Sequence, residues 1–263
     1  MTRQQSADLD ATLDSLTPDA RAAEAVFDVV DTLESSPALR RTLSDSSASA
    51  DSREQLARTL LAGKIPPVAL DIVIATVRTP WAGPRRLVSG LERQGVRAAL
   101  RIAHGAKALE TVQAELGSVI TLIHAQPELS NALRNPRPGV AQRRRLLETL
   151  IAGRVSATTS LLVARSCGQR SGGVQATLDS YLTEGAAVAG QQIANVTVAK
   201  PLDAARAGRL RRLLEARTGR AISLQIRVDP AVLGGINVQI ADHIYEASVA
   251  GRLADARRLL TTS

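Results

Sequence analysis

The residue types that could do chemistry in this 263-residue chain are few and scattered. Its three histidines, His104, His124 and His243, stand far apart and outside any HxxxH or HExxH spacing, so no zinc site of helical type can be assembled from them. The single cysteine, Cys167 in ARSCGQR, excludes an internal disulfide and any thiolate cluster, and reads as a small buried hydrophobe. Arginines beside it could favour a thiolate, but no His–Asn arrangement accompanies it. The pair Gly234-Gly235, within VDPAVLGGINVQI, is followed by a strand-like run. A dinucleotide loop needs a third glycine and a helix whose N-terminus faces the pyrophosphate. No GxxxxGK[ST] occurs. No acid, base, nucleophile and metal ligands converge, and the expectation is a protein with no active site, metal or cofactor.

Charge is the stronger signal. The net charge is +8, yet residues 1–60 carry six arginines against eleven carboxylates, which leaves +13 on the remainder. The densest basic stretch is LRNPRPGVAQRRRLL, and Arg143, Arg144 and Arg145 within it are candidates for a partner surface. Such a patch would attract phosphates in a salt-dependent way. Single-strand binders add aromatic platforms, however, and this chain has one Phe, one Trp and two Tyr, of which only Tyr245 falls near the strands. Nucleic acid is therefore the lesser reading, behind an acidic protein partner.

With aromatics at 2% and hydrophobic residues at 44%, the core must be Leu, Val, Ile and Ala, which suits packed helices. The polar, acidic start MTRQQSADLDATLDSL has no apolar core of a leader. No apolar run approaches the ~20 residues of a membrane span, and even VALDIVIATV contains Asp71. The expectation is a protein at the cytoplasmic side, associated with a membrane only through partners.

TPDARAAEAVFDVVDTLE reads as a helix capped by Thr17, with Pro18 at its first position and Ala22, Val26, Val29, Val30 and Leu33 on one stripe. Ser36-Pro37 restarts a short helix, and REQLARTLLAG makes another that Gly63 stops. SSPALRRTL lines up with AQPELSNAL, and REQLARTLLAGKI with RRRLLETLIAGRV. Pro37/Pro127, Leu43/Leu133, Thr59/Thr149 and Gly63/Gly153 are all 90 apart without a gap. Ten of the 37 positions from Pro37 to Val73 are identical to their counterparts, including the punctuating Pro and Gly, which implies an internal duplication of a helical unit. The copies differ in surface, acidic around Asp45 and Asp51 in the first and Arg-rich in the second, so they should touch different partners.

Between the copies, TPWAGPRRLVSGLERQG reads as a connection with Trp81 wedged against the bundle, and VRAALRIAHGAKALETVQAELGSVITLIHA as one long helical stretch. Two further helices, separated by Gly172-Gly173, close the helical part. From Ile193 the period changes to two: IANVTVAKPL as strand, DAARAGRLRRLLEART as helix with Leu210, Leu213 and Leu214 apolar, and ISLQIRV as strand. INVQIADHIYEAS follows as a hairpin turning near Ala241-Asp242, and GRLADARRLL as a closing helix. The fold class is thus mostly α, a duplicated helical bundle followed by a small strand-helix-strand-hairpin-helix α/β unit, divided at 1–95, 96–192 and 193–263.

At that C-terminal unit the sequence resembles the delta subunit of F-type ATP synthase, the family that includes the oligomycin-sensitivity-conferring protein. Asp229, Pro230, Gly234, Gly235, Ser248, Arg252 and Leu253 stand at matching positions. AELGSVITLIHAQPELSNALRNP and RRRLLETL resemble the family's N-terminal helical domain, so the first ~95 residues are an addition that the repeat explains. Ala241 replaces a common hairpin glycine, and Glu246-Ala247-Ser248 an Asp-Gly-Ser element. The resemblance implies a non-catalytic stator subunit that joins the α/β head to the peripheral stalk. In it the helical domain offers a groove to an N-terminal helix of an alpha subunit, and the C-terminal part meets a b-type stalk subunit. The Arg-rich second copy would suit an acidic stalk helix. The competing reading is a basic helical adaptor for nucleic acid or another acidic partner.

Overall fold

The computed structural model describes residues 3–135, 137, 139–168, 173–200, 202–229, 235–240 and 243–248. It divides into two compact units, residues 1–184 and 185–263. The first contains α1 (Arg3–Asp14), α2 (Ala20–Ser35), α3 (Pro37–Leu43), α4 (Ala50–Leu61), α5 (Pro67–Arg78), α6 (Pro84–Gly105), α7 (Leu109–Ala125), α8 (Pro127–Arg134), α9 (Gly139–Ile151), α10 (Ala157–Ser166) and most of α11 (Gly173–Val188).

The apolar stripe expected on α2 is buried as a set, Ala22, Val26, Val29, Val30 and Leu33 included. Its start differs from expectation. Asp19, not Thr17, is the cap: its backbone is extended and its side chain accepts from the Ala22 N–H at 2.8 Å. A carboxylate reaches that amide as well as a hydroxyl does and adds charge at the positive helix end, so Pro18 stays outside. The acidic start of the chain folds as α1, which the sequence reading passed over, with Leu9 and Leu13 buried one turn apart. Nor is residues 96–125 one stretch. Lys107 takes φ 57°, and the Ala106, Lys107 and Ala108 amides close back onto the carbonyls of Ile102, His104 and Ala103, which ends α6 before α7 begins.

Shifted by 90 residues, α2 to α5 fall on α7 to α10 within two residues at every end. Gly63 and Gly153 repeat the same left-handed stop at φ 74° and 68°. Core positions recur in pairs: Leu33 and Ile123, Leu43 and Leu133, Ile72 and Leu162, Val73 and Val163, Val77 and Cys167 are all buried. Thr76 and Ser166, both fully buried, each satisfy their hydroxyl on a carbonyl of their own helix. The same shift carries α1 onto residues 93–104, the second half of α6, and carries the start of α6 onto the start of α11. The 22-residue α6 therefore combines the last helix of one series with the first of the next.

The second unit is a four-stranded sheet in the order β2-β1-β3-β4, from β1 (Gln192–Val198), β2 (Ile222–Val228), β3 (Gly235–Ile240) and β4 (His243–Ser248). β1 and β2 run parallel, joined by α12 (Ala204–Thr218); β3 lies antiparallel to β1, and β4 to β3, with Ile240 opposite His243 as a hairpin requires. Asp203 caps α12 by accepting from the Arg206 amide, and Gly219 at φ 65° ends it. Ala194, Val196, Val198, Ile222, Val238 and Ile240 alternate onto one face and meet Leu210 and Leu214. Leu213, expected among the apolar positions of that helix, is instead 63% exposed. The expected closing helix at GRLADARRLL lies outside the described residues.

Two glycines let α6 approach its neighbours. A Cβ at Gly90 would land inside the Trp81 ring, and one at Gly95 would lie 2.7 Å from Phe27 Cε1. Trp81 is fixed there by its indole N–H, which donates to the Thr76 carbonyl at 2.7 Å. A helical Gly→Ala exchange ordinarily gains about 0.5–1 kcal/mol; over-packing a core costs about 1–3 kcal/mol. Gly90→Ala is therefore expected to destabilise in urea titrations, whereas Gly117→Ala in α7, with nothing within 4 Å of the added carbon, should stabilise by about 0.5–1 kcal/mol.

Candidate functional site

The residues singled out for chemistry do not come together. His104 and His124 are exposed, and His124 meets the Gln175 side chain; the side chain of His243 is outside the described residues. Cys167 is buried under α10 at the place where the first series has Val77. Burial pushes its thiol up despite Arg144 and Arg143 nearby, which keeps it protonated and unreactive. Among the described residues no group of His, Cys, Asp and Glu could hold a metal ion, and no helix is long and apolar enough to cross a membrane.

Charge instead gathers along α6, where the two helical series meet. Arg165 of α10 donates from Nη2 to Glu92 Oε2 at 2.6 Å and from Nη1 to both Asp31 oxygens at 2.8 and 2.9 Å. Its guanidinium also lies 4.7 Å from the centre of the Phe27 ring. Asp31 and Phe27 belong to α2 and Glu92 to α6, so one arginine of the second series grips two helices of the first. Glu92 is only 4% exposed. Burial pushes its carboxyl above the usual range, outweighing the hydrogen bond and charge of Arg165.

The next residue of α6, Arg93, donates from Nη1 and Nη2 to the two oxygens of Asp10 on α1 at 2.9 and 2.6 Å, and from Nε to Glu184 of α11 at 2.5 Å. Arg97 donates to Asp14 at 2.6 and 3.0 Å and to Glu184 at 3.2 Å. The bidentate forks fix geometry as well as charge. Arg101 donates to the carbonyls of Leu13, Asp14 and Leu16, closing the end of α1. Sequence reading missed this set. Its signal was there: Asp10/Asp14 and Arg93/Arg97 are i,i+4 pairs on helices that must face each other.

The three candidate arginines of α9 divide. Arg143 donates to the carbonyls of Asn135 at 3.2 Å and Cys167 at 3.3 Å. Arg53, its counterpart 90 residues earlier, donates to Asp45 at 3.0 Å and Val77 at 2.8 Å, the counterparts of those acceptors, and also to Ala48 and Arg78. This arginine ties the loop before its helix to the end of the next helix in both series. Arg144 is half-buried with its Nε enclosed and without a partner among the described residues, and Arg145 is exposed. Arg145 is thus the one free to face outward, alongside Val140 and Leu146, exposed by 40% and 38%.

In the α/β unit, Ile226 and Val228 of the edge strand β2 are exposed with Leu213 of α12. Of the residues matched at this end, the Asp229 amide donates to Val198 at 2.9 Å, while Gly235 and Ser248 face each other as the outermost pair of the β3–β4 ladder. Pro230, Gly234 and Arg252 lie outside the described residues.

Removing Arg165 would leave Glu92 buried without its partner, an error that costs about 3–5 kcal/mol. Arg165→Leu should destabilise by that order at neutral pH, and Arg165→Leu/Glu92→Gln should recover a large part. A carboxyl whose folded pKa is raised contributes stability that is present at acid pH and lost as pH rises through that pKa. Arg165→Leu should therefore lose stability as pH climbs through and above the carboxylate range more steeply than the parent, and the double variant should not. Arg143→Ala should cost about 0.5–1.5 kcal/mol by removing its hydrogen bonds to the Asn135 and Cys167 carbonyls, and Arg145→Ala under about 0.5 kcal/mol. Denaturant midpoints across pH check both.

Comparison with known proteins fits this picture of braces and surfaces. Residues 92–260 match the family model described as "ATP synthase delta (OSCP) subunit". The chain is 37% identical to ATP synthase subunit delta of Cutibacterium acnes, over 90% of each chain. It is 34% identical to that of Thermobifida fusca over 94% of each, and 37% identical to that of Salinispora tropica over 92% of this chain and 88% of that one. A chain from the Toxoplasma gondii mitochondrial ATP synthase hexamer superposes with a TM-score of 0.38 at 19% identity, covering 64% of this chain and 97% of that one, a likeness too loose to bear on the assignment. The match begins inside α6, where the second helical series starts, and its relatives cover both series and the α/β unit; the chain belongs to the ATP synthase delta (OSCP) subunit family.

Proposed function

We infer that this chain is a stator component of a proton-translocating F-type ATP synthase, a structural subunit of a complex whose catalysis resides elsewhere. The observation that carries this reading is the family match across the second helical series and the α/β unit, with full-length relatives named as the delta subunit. It favours the stator over a basic adaptor for nucleic acid. In the finer reading, the helical part receives an N-terminal helix of an alpha subunit in a helix-in-groove mode. The α/β unit meets a b-type stalk subunit, for which the exposed Leu213, Ile226 and Val228 are suited apolar contacts. The chain then sits at the cytoplasmic face of the membrane, held there by the complex. A joint that resists torque needs a lasting contact, on the order of 2,000 Å² in all.

The helical series 1–95 and 96–192 are read as two copies of one module with different partners. Thr59 and Thr149 are exposed equivalents on α4 and α9. Affinity-tagged chain should bring the α/β head and the stalk subunit out of solubilised membranes; nucleic acid retained at high salt in their place would favour the adaptor. In that assembly, Thr59→Cys and Thr149→Cys in a Cys167→Ala background should cross-link to different sites. Cross-links from both to one site on one partner would contradict divergent roles.

A further inference from the structure

The two helical series share a cleft between the short third helix and the helix that closes the series, and the two clefts differ in charge. In the first series it is about 560 Å³, walled by Pro37 and Pro84 and ringed by Arg40, Arg41, Arg85 and Arg86. In the second it is about 240 Å³; the positions 90 residues on are Ser130, Asn131, Gln175 and Ala176, all neutral, and the two charged residues that line it, Arg134 and Asp179, are one of each sign. The duplication thus supplies an internal control. The same helices form the same depression without a single one of these arginines, so the fold does not require them.

Among the described residues nothing neutralises them either. Arg58, Arg78, Arg93, Arg97 and Arg165 of this unit all pair with carboxylates. Among the described residues none of the four cleft arginines does: Arg40 and Arg41 reach only backbone carbonyls, and Arg40 keeps an enclosed Nε without a partner. Nor is the cleft a sample of general basicity, since residues 1–60, which supply half of it, carry a net −5. Four guanidinium groups at one opening repel one another, and a surface keeps such an arrangement where an anion completes it.

We propose that this cleft is the docking site of an acidic segment of a partner polypeptide, one that places two or more carboxylates among Arg40, Arg41, Arg85 and Arg86 and lays apolar side chains on the proline walls. The volume suits several side chains and far exceeds one phosphate group. The cleft has no aromatic lining on which bases would stack. Arginine forks bind carboxylates in bidentate fashion, which gives the site a preference for acidic side chains presented in sequence. The proposal rests on the ATP synthase reading for where the partner is found, and its chemistry is independent of that reading.

The test uses the assembled complex. Arg85→Lys/Arg86→Lys keeps the charge and supplies amines, which a carbodiimide joins directly to a touching carboxylate. Mass spectrometry should find these positions bonded to Asp or Glu of one segment of another subunit. In reconstitution of the complex from which this chain has been stripped, Arg85→Glu/Arg86→Glu should weaken binding tenfold or more at low salt and flatten its salt dependence. Both residues are exposed and pair with no carboxylate among the described residues, and an unchanged thermal midpoint confirms that the fold is intact. Failure of the parent chain to enter the complex would overturn the stator reading alone. With the parent chain incorporated, absence of any carboxylate cross-link, or full-strength binding by the glutamate variant, overturns the acidic-segment proposal. A variant that loses only its adhesion to phosphatidylglycerol vesicles overturns it too.

Discussion

Everything in the helical unit depends on how closely helices can approach α6. Gly90 and Gly95 remove two side chains from it, and the Trp81 and Phe27 rings fill the space they vacate. That close approach is what encloses Glu92 at the foot of Arg165, with Phe27 against the guanidinium. A buried ion pair of this kind adds little net stability over a well-packed apolar pair, because removing two charges from water costs about as much as their attraction returns. Its effect is on register. An apolar seam tolerates small slips, whereas a fork on Glu92 and Asp31 is satisfied in one position only. The Arg93 and Arg97 pairs do the same for α1 and α11 on the adjoining part of α6.

This arrangement gives the duplication a mechanical meaning. Fusing the last helix of one module to the first of the next leaves no flexible linker between them, and the charged contacts to α1, α10 and α11 hold the shared helix from several sides, with α2 joined through Arg165. Each module meanwhile keeps its own internal brace, Arg53 in one and Arg143 in the other. The parts that recur are those the fold requires. The parts that diverge are surface: four arginines at the first cleft against neutral residues at the positions 90 on, and the exposed face of α9 around Arg145. For a component that transmits force, a stiff interior with independently varied faces is a suitable division of labour.

Much of this was visible in the chain before folding, and what was hidden has physical causes. The repeat could be read because Pro, Gly and the apolar stripe mark a helical module regardless of its surface. Arg53 and Arg143 are themselves one of the identical pairs, and a conserved charge amid a diverging surface hinted at a buried duty. The α/β unit announced itself by the change of period at Ile193 and by alternation through β2. α1 escaped notice because two leucines among acidic residues form too thin a stripe until α6 supplies the cations. The extent of α6 was hidden because Pro84 looks like a break when it is a first-turn residue. The stop at Lys107 uses a left-handed lysine where a glycine would have given it away. Arg143 looked like a free cation because a run of three arginines suggests a surface, and only the fold shows which of them turns inward.

The central claim is that the two helical modules behave as one body held along α6. Native-state hydrogen exchange on the intact chain, followed across low urea concentrations, tests it most directly. If the claim holds, the slowest amides of α2 and α10 converge on one opening free energy and one urea dependence, and both fall together in Arg165→Leu. Separate opening energies for α2 and α10 in the parent chain, with only one of them moved by Arg165→Leu, would contradict it.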